Sequence, residues 1–224
     1  MNTSPTAPRI WTCAHLSAPH AQEPCLSPGD VDDSWQPLGQ FWSQDGFSHP
    51  RAWARIQWSE DLLRYDAVLL GSGARNQART LNERTWETGE VCEIFLKAGD
   101  HAEYLELHIT PENQRLQLVF PLGGVERVRS GVDRLSDYFV GDPEWVDTHT
   151  RVESDFWSVR ACIPASRTGL SGFAPHSVLR TAVCRYDYTA APEPVLSSTA
   201  MLQELFFHRH AEWTPLALVP ACTR

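Results

Sequence analysis

The feature of this sequence that most constrains its fold is a series of short segments in which apolar and polar residues alternate. Residues 156–164 show the pattern most clearly, with Trp157, Val159 and Ile163 in alternate positions. Successive side chains of a β-strand point to opposite faces of the sheet, so a period of two predicts strands with one buried face. The chain is therefore expected to bury its core between sheets rather than between helices.

Similar strand-like segments recur along the chain and are separated by turn residues such as Gly99 and Asp100. The predicted strands cover residues 52–58, 62–70, 91–96, 104–109, 116–120, 156–164, 177–188, 205–208 and 216–219. No segment shows the sustained 3.6-residue period of an amphipathic helix, and residues 122–148 are predicted to be irregular. This spacing of short strands predicts an all-β protein, an antiparallel β-sandwich of the jelly-roll type.

The domain organisation is predicted to be simple because no Pro/Gly/Ser-rich linker and no internal repeat divides the chain. We expect a single domain over residues 28–224. Residues 1–27 are expected to be an irregular N-terminal segment, either a tail or an edge segment that packs through Ile10, Trp11 and Leu16. The six cysteines form no CxxC pair, which argues against a zinc knuckle and favours buried, reduced thiols.

Charge and hydropathy exclude several classes of partner. The formal net charge is −9, whereas binding to nucleic acid or to an anionic membrane surface requires a basic patch. The sequence contains neither a long apolar segment nor a recognisable secretory leader, so the expected location is the cytoplasm. These observations do not exclude a neutral or cationic small ligand.

Residues 85–113 contain the main candidate site. Trp86 precedes the first strand of a predicted hairpin, Glu93 lies in that strand, and Glu106 and His108 lie in the second. Aromatic rings stack on the C–H faces of sugars, and carboxylates and imidazoles form hydrogen bonds with hydroxyl groups. These four residues are therefore predicted to bind a mono- or oligosaccharide. The competing interpretations are a solvated polar face and, for Trp86, a place in the core.

The alternation in this hairpin also predicts how the carboxylates are oriented. Glu93 and Glu106 alternate with apolar residues, so both are expected on the face opposite the core. Glu90, near the start of the first strand, could face elsewhere. If both sides of the sheet are covered, all these carboxylates need partners. The sequence offers Arg115, Arg185 and His108 for this role.

The order of these segments resembles that of family 9 carbohydrate-binding modules, within the broader group of DOMON-like β-sandwiches. The segments that carry the resemblance are residues 30–35, 56–63, 86–96, 104–113, 157–164 and 208–216. Together they span roughly residues 28–219. The resemblance implies a β-sandwich that binds sugar rings or chain ends without catalysis and that works beside enzymes that degrade polysaccharides.

The resemblance also implies roles for particular residues. Trp86 and Glu93 match half of a site in which two tryptophans clamp one sugar ring, and Glu106 and His108 match positions that reach sugar hydroxyls. The region of the second tryptophan, residues 194–199, contains no aromatic residue. No cofactor is implied beyond a structural calcium ion, for which the oxygen donors would be Asp30, Asp32 and Asp33.

Other functions remain open at this stage. The domain could be a structural or interaction sandwich that has lost its sugar site. An aromatic such as Trp42, Trp145 or Trp213 beside Trp86 would favour sugar binding, whereas a flat, filled surface would favour the interaction domain.

A glycosidase would need two carboxylates across a cleft, and a haem-binding domain of the DOMON type would need axial ligands such as Met201 and His208 or His210. Met201 is expected instead to fill a gap in the core.

Overall fold

The computed structural model describes residues 10–16, 26–43, 49–189 and 193–220. Its strands are β1 (Trp11–His15), β2 (Gln36–Pro37), β3 (Ala52–Trp58), β4 (Leu62–Leu70), β5 (Val91–Ala98), β6 (Glu103–Ile109), β7 (Arg115–Pro121), β8 (Asp147–Val152), β9 (Phe156–Pro164), β10 (Leu179–Asp187), β11 (Val195–Ser198) and β12 (Thr214–Leu218). Within the described ranges there is one α-helix, α1 (Gly124–Arg129), and there are short 3-10 helices at Pro28–Asp30, Thr85–Glu87, Leu135–Tyr138 and Ala165–Thr168. The predicted all-β class is confirmed.

The strands form two layers that are joined through β1. The first sheet has the order β7-β6-β5-β10-β12-β1, with β11 beside β10, and the second has the order β1-β3-β4-β9-β8, with β2 beside β3. β1 pairs in parallel with both β12 and β3, whereas the other strand pairs are antiparallel. The molecule is thus a β-sandwich whose two sheets share one strand.

The main core fills the space between the two sheets. Ile94 and Leu107 face it from the first sheet, and Ile56, Val159 and Ile163 face it from the second. Each of these side chains is almost completely removed from solvent. Alternate residues of β9 supply this core, as the period of two predicts.

A further apolar layer covers the outer face of the first sheet. Phe95 and Phe120 from the sheet pack there with Val125 of α1 and with Phe207 and Trp213 near the C-terminus. Every residue of β5 is consequently buried. A strand that is covered on both faces has no solvated side on which a charged residue can rest, so any such residue must find a partner.

The N-terminal residues differ from the expected irregular segment. Trp11–His15 form β1, because its backbone pairs with strands of both sheets. The side chains of Trp11 and Leu16 are buried as predicted, but the prediction for Ile10 is wrong, since its side chain is 61% exposed.

Two other segments were predicted wrongly. Residues 205–208 were expected to form a strand, but they form bends and turns, because they cross the outer face of the first sheet instead of pairing with it. Residues 122–148 were expected to be irregular, but they contain α1 and the first residues of β8. In the described part of the chain, no helix has the length and apolar character needed to cross a membrane.

The double role of β1 leads to a testable prediction. Replacing Trp11, which is 1% exposed in the main core, with alanine should lower the free energy of unfolding by about 3–5 kcal/mol, because a large cavity is left between the sheets. Chemical denaturation would measure the change. The neighbouring Thr12 is exposed, so Thr12→Ala is the matched control and should alter stability by less than about 0.5 kcal/mol. Equal effects of the two substitutions would contradict this role.

Candidate functional site

The pairing of β5 with β6 brings three of the predicted site residues together. Glu93 is directly opposite His108 in the strand register, and Glu106 lies two residues before His108. Residues two apart in a strand share a face, so all three side chains lie on the outer face of the first sheet. This confirms the predicted orientation of Glu93 and Glu106 away from the main core.

The histidine connects the two carboxylates. His108 Nε2 is 2.7 Å from Glu106 Oε1, and His108 Nδ1 is 3.3 Å from Glu93 Oε1. Nδ1 is also 3.0 Å from the hydroxyl oxygen of Thr85. All three members of this Glu93–His108–Glu106 triad are at most 4% exposed. Of the three partners predicted for the carboxylates, His108 is the one that serves Glu93 and Glu106.

Of the other two predicted partners, Arg185 pairs with a carboxylate of the hairpin, Glu90, and Arg115 does not. Arg185 forms an ion pair with Glu90 at 3.1 Å, and Trp157 Nε1 donates to the same Glu90 oxygen at 3.2 Å. Arg115 donates to the backbone carbonyl of Val146. Burial raises the pKa of Glu90 to about 7 against the opposing effect of Arg185. Glu90 therefore belongs to a buried ion pair away from the triad.

Trp86 stands beside the triad at one end. It lies in the 3-10 helix Thr85–Glu87, and its ring centroid is 5.5 Å from that of His108, with an angle of 65° between the planes. The Tyr188 hydroxyl donates to the Trp86 carbonyl at 2.6 Å, and the Asn76 side-chain amide donates to the Thr85 carbonyl at 2.8 Å. The indole is half-buried, so these backbone contacts hold a ring that solvent can still reach.

A cavity of about 330 Å³ opens above the triad. Trp86, Glu93, Glu106 and His108 all line it, which brings every predicted ligand-binding residue into one site. The rest of the lining comes from Arg84, Phe120, Val125, Val128, Arg129, Leu135, Tyr186, Leu196, Leu205, Phe206, Phe207 and His208. The cavity thus has a polar floor and largely apolar walls.

An aromatic residue from a distant part of the chain completes these walls. The tryptophans considered from sequence do not line the cavity. Trp145 is buried in the main core, Trp213 is buried in the apolar layer on the outer face of the first sheet, and Trp42 packs on Phe207. Phe206 does line it and is half-buried. Sequence reasoning missed Phe206 because the apolar run at 205–208 was interpreted as a strand.

Phe206 is held by contacts on two sides. Its ring centroid is 5.2 Å from that of His208, and the Arg129 guanidinium carbon lies 4.2 Å above its ring. His208 in turn lies 3.5 Å from Glu106 Oε2, whereas Trp86 contacts His108. Trp86 therefore contacts the polar floor at His108, and Phe206 contacts it at His208. The floor lies between these two contacts.

The protonation of the floor follows from its burial and its contacts. Burial raises the pKa of Glu93 to about 7 despite the attraction of His108. Burial alone would also raise the pKa of Glu106, but its interactions with His208 and His108 hold it below its usual value. Burial opposes the charged form of His108, yet Glu93 and Glu106 together raise its pKa. The surroundings thus favour the ionised form of Glu106 and the protonated form of His108, and Glu93 titrates near neutral pH.

One oxygen of the floor has no hydrogen-bond partner. Glu106 Oε2 is buried and accepts no hydrogen bond from the described residues. The nearest nitrogen, His208 Nδ1, is 3.5 Å away and is closer to the Tyr104 hydroxyl, at 2.9 Å. A buried carboxylate oxygen without a donor costs free energy. In this cavity a ligand could supply the missing donor.

The predicted calcium donors form turn contacts at a different place. Asp30 accepts hydrogen bonds from the backbone and hydroxyl of Ser27, and Asp32 accepts them from Ser34. These hydrogen bonds lower the pKa of both carboxyl groups. Asp33 is exposed, and within the described ranges no three His, Cys, Asp or Glu side chains form a group that could hold a metal ion. The calcium site at Asp30, Asp32 and Asp33 stays a prediction.

The remaining sequence candidates are also placed by the structure. Met201 is 43% exposed, so its expected role as a filler of the core is wrong: the turn after β11 leaves it at the surface. Cys92 and Cys184 are buried as expected, whereas Cys162 is half-buried. Cys25 and Cys222 lie outside the described residues.

Comparison with known proteins gives a likeness of fold. The sequence matches no protein-family model, and no curated protein matches it significantly. Among solved structures, a candidate carbohydrate-binding protein from Bacteroides uniformis is similar, with a TM-score of 0.73, 14% identity, and coverage of 95% of this chain and 100% of that one.

Two structures of a family 9 carbohydrate-binding module from Caldicellulosiruptor kristjanssonii are also similar, each with a TM-score of 0.58 and 14% identity. The one with cellotriose covers 94% of this chain and 93% of its own, and the one with glucose covers 96% and 98%. The chain therefore has a fold like that of family 9 carbohydrate-binding modules, as the order of its segments indicated.

The raised pKa of Glu93 predicts how stability depends on pH. Between its ordinary pKa of 4.5 and about 7, Glu93 keeps its proton in the folded state but loses it in the unfolded state. The folded protein then binds more protons, so its stability falls as pH rises through this window. Glu93→Gln removes that penalty. The unfolding free energy of the variant minus that of wild type should therefore be about 1–3 kcal/mol larger at pH 8 than at pH 4.

Chemical denaturation across this pH range would measure the difference. Glu90 titrates in the same window but is present in both proteins, so its contribution cancels. Glu60 is exposed in the β3–β4 turn, so Glu60→Gln is the control and should show no such pH dependence. A constant difference between wild type and Glu93→Gln at all pH values would show that Glu93 does not titrate near 7.

Proposed function

We propose that this protein binds carbohydrate without catalysing a reaction, holding one sugar ring in the cavity above the triad. Trp86 stacks on a C–H face of the ring, and Glu93, Glu106 and His108 form hydrogen bonds with its hydroxyls. The observation that carries the proposal is the convergence of these four residues in one cavity, with a buried acceptor that has no donor of its own.

The size and lining of the cavity support a ligand of about one ring. Its volume of about 330 Å³ is near the lower end of the roughly 300–1,000 Å³ that is usual for small-molecule sites. Sugars combine polar edges with apolar ring faces, which suits a floor of carboxylates and imidazole and walls of aromatic and aliphatic side chains. Phe206 supplies an aromatic wall in a chain that has no aromatic residue at positions 194–199.

The comparisons support the same function at the level of the fold. The Caldicellulosiruptor kristjanssonii module is described in complexes with cellotriose and with glucose. At 14% identity this likeness bears on the fold alone, so the proposal for this chain rests on its own cavity. An association with enzymes that degrade polysaccharides stays a prediction.

Two competing functions are less well supported. An interaction domain that had lost its site would present a filled surface beside Trp86, whereas a cavity lies there. In a glycosidase the carboxylates flank the bond that is cleaved. Here Glu93 and Glu106 project from the same face of neighbouring strands and contact one histidine.

Removal of the Trp86 ring provides the first test. Trp86→Ala should weaken the binding of the best sugar by about 10- to 100-fold, equivalent to about 1.4–2.8 kcal/mol, because the stacking surface is lost. Titration calorimetry against mono- and oligosaccharides would measure the affinity, and circular dichroism would show that the fold is retained. Trp53 is half-buried on the outer face of the second sheet, so Trp53→Ala is the matched control and should leave affinity unchanged.

The absence of heat with every sugar in the panel would contradict the proposed function. Hydrolysis of a chromogenic glycoside by the wild-type protein, lost in Glu93→Gln, would contradict the non-catalytic assignment and indicate an enzyme.

The role of Phe206 is tested separately. Phe206→Ala should weaken sugar binding by about 3- to 30-fold, because one aromatic wall and its contact with His208 are lost. Phe206→Trp should retain most of the affinity, since it restores an aromatic face. The Phe41 side chain is 38% exposed and does not line the cavity, so Phe41→Ala is the control. Unchanged affinity in Phe206→Ala would show that Trp86 is the aromatic residue that matters for the ligand.

A further inference from the structure

The cavity floor carries two carboxylates and one imidazole that they share, since His108 contacts both Glu93 and Glu106. A second imidazole, that of His208, lies 3.5 Å from Glu106 Oε2, but burial lowers the pKa of His208 and so favours its neutral form. Among the described residues, no arginine or lysine forms an ion pair with either carboxylate. When both carboxylates are ionised, the triad holds two negative charges against at most one positive charge on His108, so its net charge beneath the cavity is negative.

The oxygen without a donor marks the point where a ligand would meet this charge. Glu106 Oε2 is buried, accepts no hydrogen bond from the described residues, and belongs to a side chain that lines the cavity. A neutral hydroxyl group could donate one hydrogen bond to it. An ammonium group carries three donors and a compensating charge, and hydrogen bonds between charged groups are shorter and stronger than those between neutral groups.

The walls of the cavity are also suited to a cation. Trp86, Tyr186, Phe206 and Phe207 line it, and the faces of aromatic rings attract ammonium groups within about 6 Å of the ring centroid. An anionic ligand would instead meet two carboxylates in a site of low dielectric constant, where repulsion is strong.

The arginines at the cavity do not reverse this preference. Arg84 forms an ion pair with Glu87 at 3.2 Å, and the guanidinium of Arg129 lies above the ring of Phe206. Both arginine side chains are exposed to solvent, so their charges are screened far better than the buried charges of the floor.

We infer that the ligand of this cavity carries an ammonium group, and that it is an amino sugar of one pyranose ring with its ammonium against Glu106. This inference rests on the proposed function and narrows its class of ligand. Trp86 would stack on the ring, and the remaining hydroxyls would bind His108 and Glu93.

The test is a titration of the intact protein with ligands that share one ring but differ in charge. The panel contains glucose, the 2-amino and 6-amino derivatives of glucose, N-acetylglucosamine and glucuronate, measured at pH 7 in the same buffer. At least one of the amines should bind 10-fold or more tightly than glucose. N-acetylglucosamine, which keeps the nitrogen but loses the charge, should show no such gain, and glucuronate should bind most weakly.

Substitution of the floor should remove the preference. Glu106→Gln keeps the size of the side chain but removes its charge, so the ratio of the affinities for the amine and for glucose should fall towards one. Glu60→Gln, in the β3–β4 turn of the second sheet, should leave the ratio unchanged. Glu93→Gln provides a second variant and should reduce the ratio less, because wild-type Glu93 is only partly ionised at pH 7.

Proton release gives a readout that stability does not affect. A bound ammonium would favour ionised Glu93, so binding of the amine should release protons to the solution near pH 7, whereas glucose should release fewer. Titration calorimetry in buffers of different ionisation enthalpy measures this release. In Glu93→Gln the extra release should disappear.

The outcomes separate this inference from the proposed function. Equal affinities for glucose and for both amines would overturn the inference and leave carbohydrate binding in place. The absence of binding by any sugar would overturn the proposed function. Cyclohexylamine has the charge and a six-membered ring but no hydroxyls, so binding as tight as that of the amino sugars would overturn the assignment of the ammonium to a sugar.

Discussion

The contact between His108 and two buried carboxylates is the interaction on which the rest of this site depends. Glu93 and Glu106 project from the middle of a sheet that is covered on both faces, where an ionised carboxylate without a partner would be very costly. The register of β5 and β6 places His108 opposite Glu93 and two residues from Glu106. A single imidazole therefore serves both carboxylates, with Thr85 as a further contact of its Nδ1.

This arrangement connects the fold to the cavity. The outer layer of the first sheet, formed by α1 and the segments near the C-terminus, is what buries the triad. The same layer provides the walls of the cavity, since Val125 of α1 and Phe207 both line it. A sheet with a solvated outer face would have left Glu93 and Glu106 in water, with ordinary protonation and no enclosed space above them.

Much of the fold could be predicted from the sequence because strand periodicity is a local property. The bounds predicted for residues 52–58, 62–70 and 156–164 agree with those of β3, β4 and β9. Prediction from periodicity was wrong where an apolar segment packs without pairing in a sheet. Residues 205–208 have the composition of a strand, but Phe207 packs inward while Leu205 is 51% exposed, so the segment is a wall of the cavity rather than a paired strand. The prediction for Trp11–His15 failed for the opposite reason. These residues form a strand because they pair with β12 and β3, which are distant in the sequence.

The floor of the candidate site could be predicted, but its walls could not. Glu93, Glu106 and His108 lie on one predicted hairpin, so their common face follows from alternation in neighbouring strands. Tyr186, Leu196 and Phe206 reach the same cavity from segments about a hundred residues away in the sequence, and no local pattern connects them to Trp86. The unpartnered oxygen of Glu106 also depends on how Tyr104 and His208 pack, which is a property of the tertiary structure alone.

The walls change how a ligand would be recognised. A phenyl ring offers less area than an indole, and the guanidinium of Arg129 already lies above the ring of Phe206. We therefore expect stacking against two large parallel faces to contribute less to the affinity than the polar contacts. The floor has what the walls lack, namely a buried acceptor without a donor and a second carboxylate whose charge changes near neutral pH. Because this acceptor is already removed from water in the free protein, a ligand that donates to it gains the hydrogen bond without paying to desolvate the acceptor. Polar contacts with the floor, more than stacking on the walls, should decide which ligand this cavity prefers.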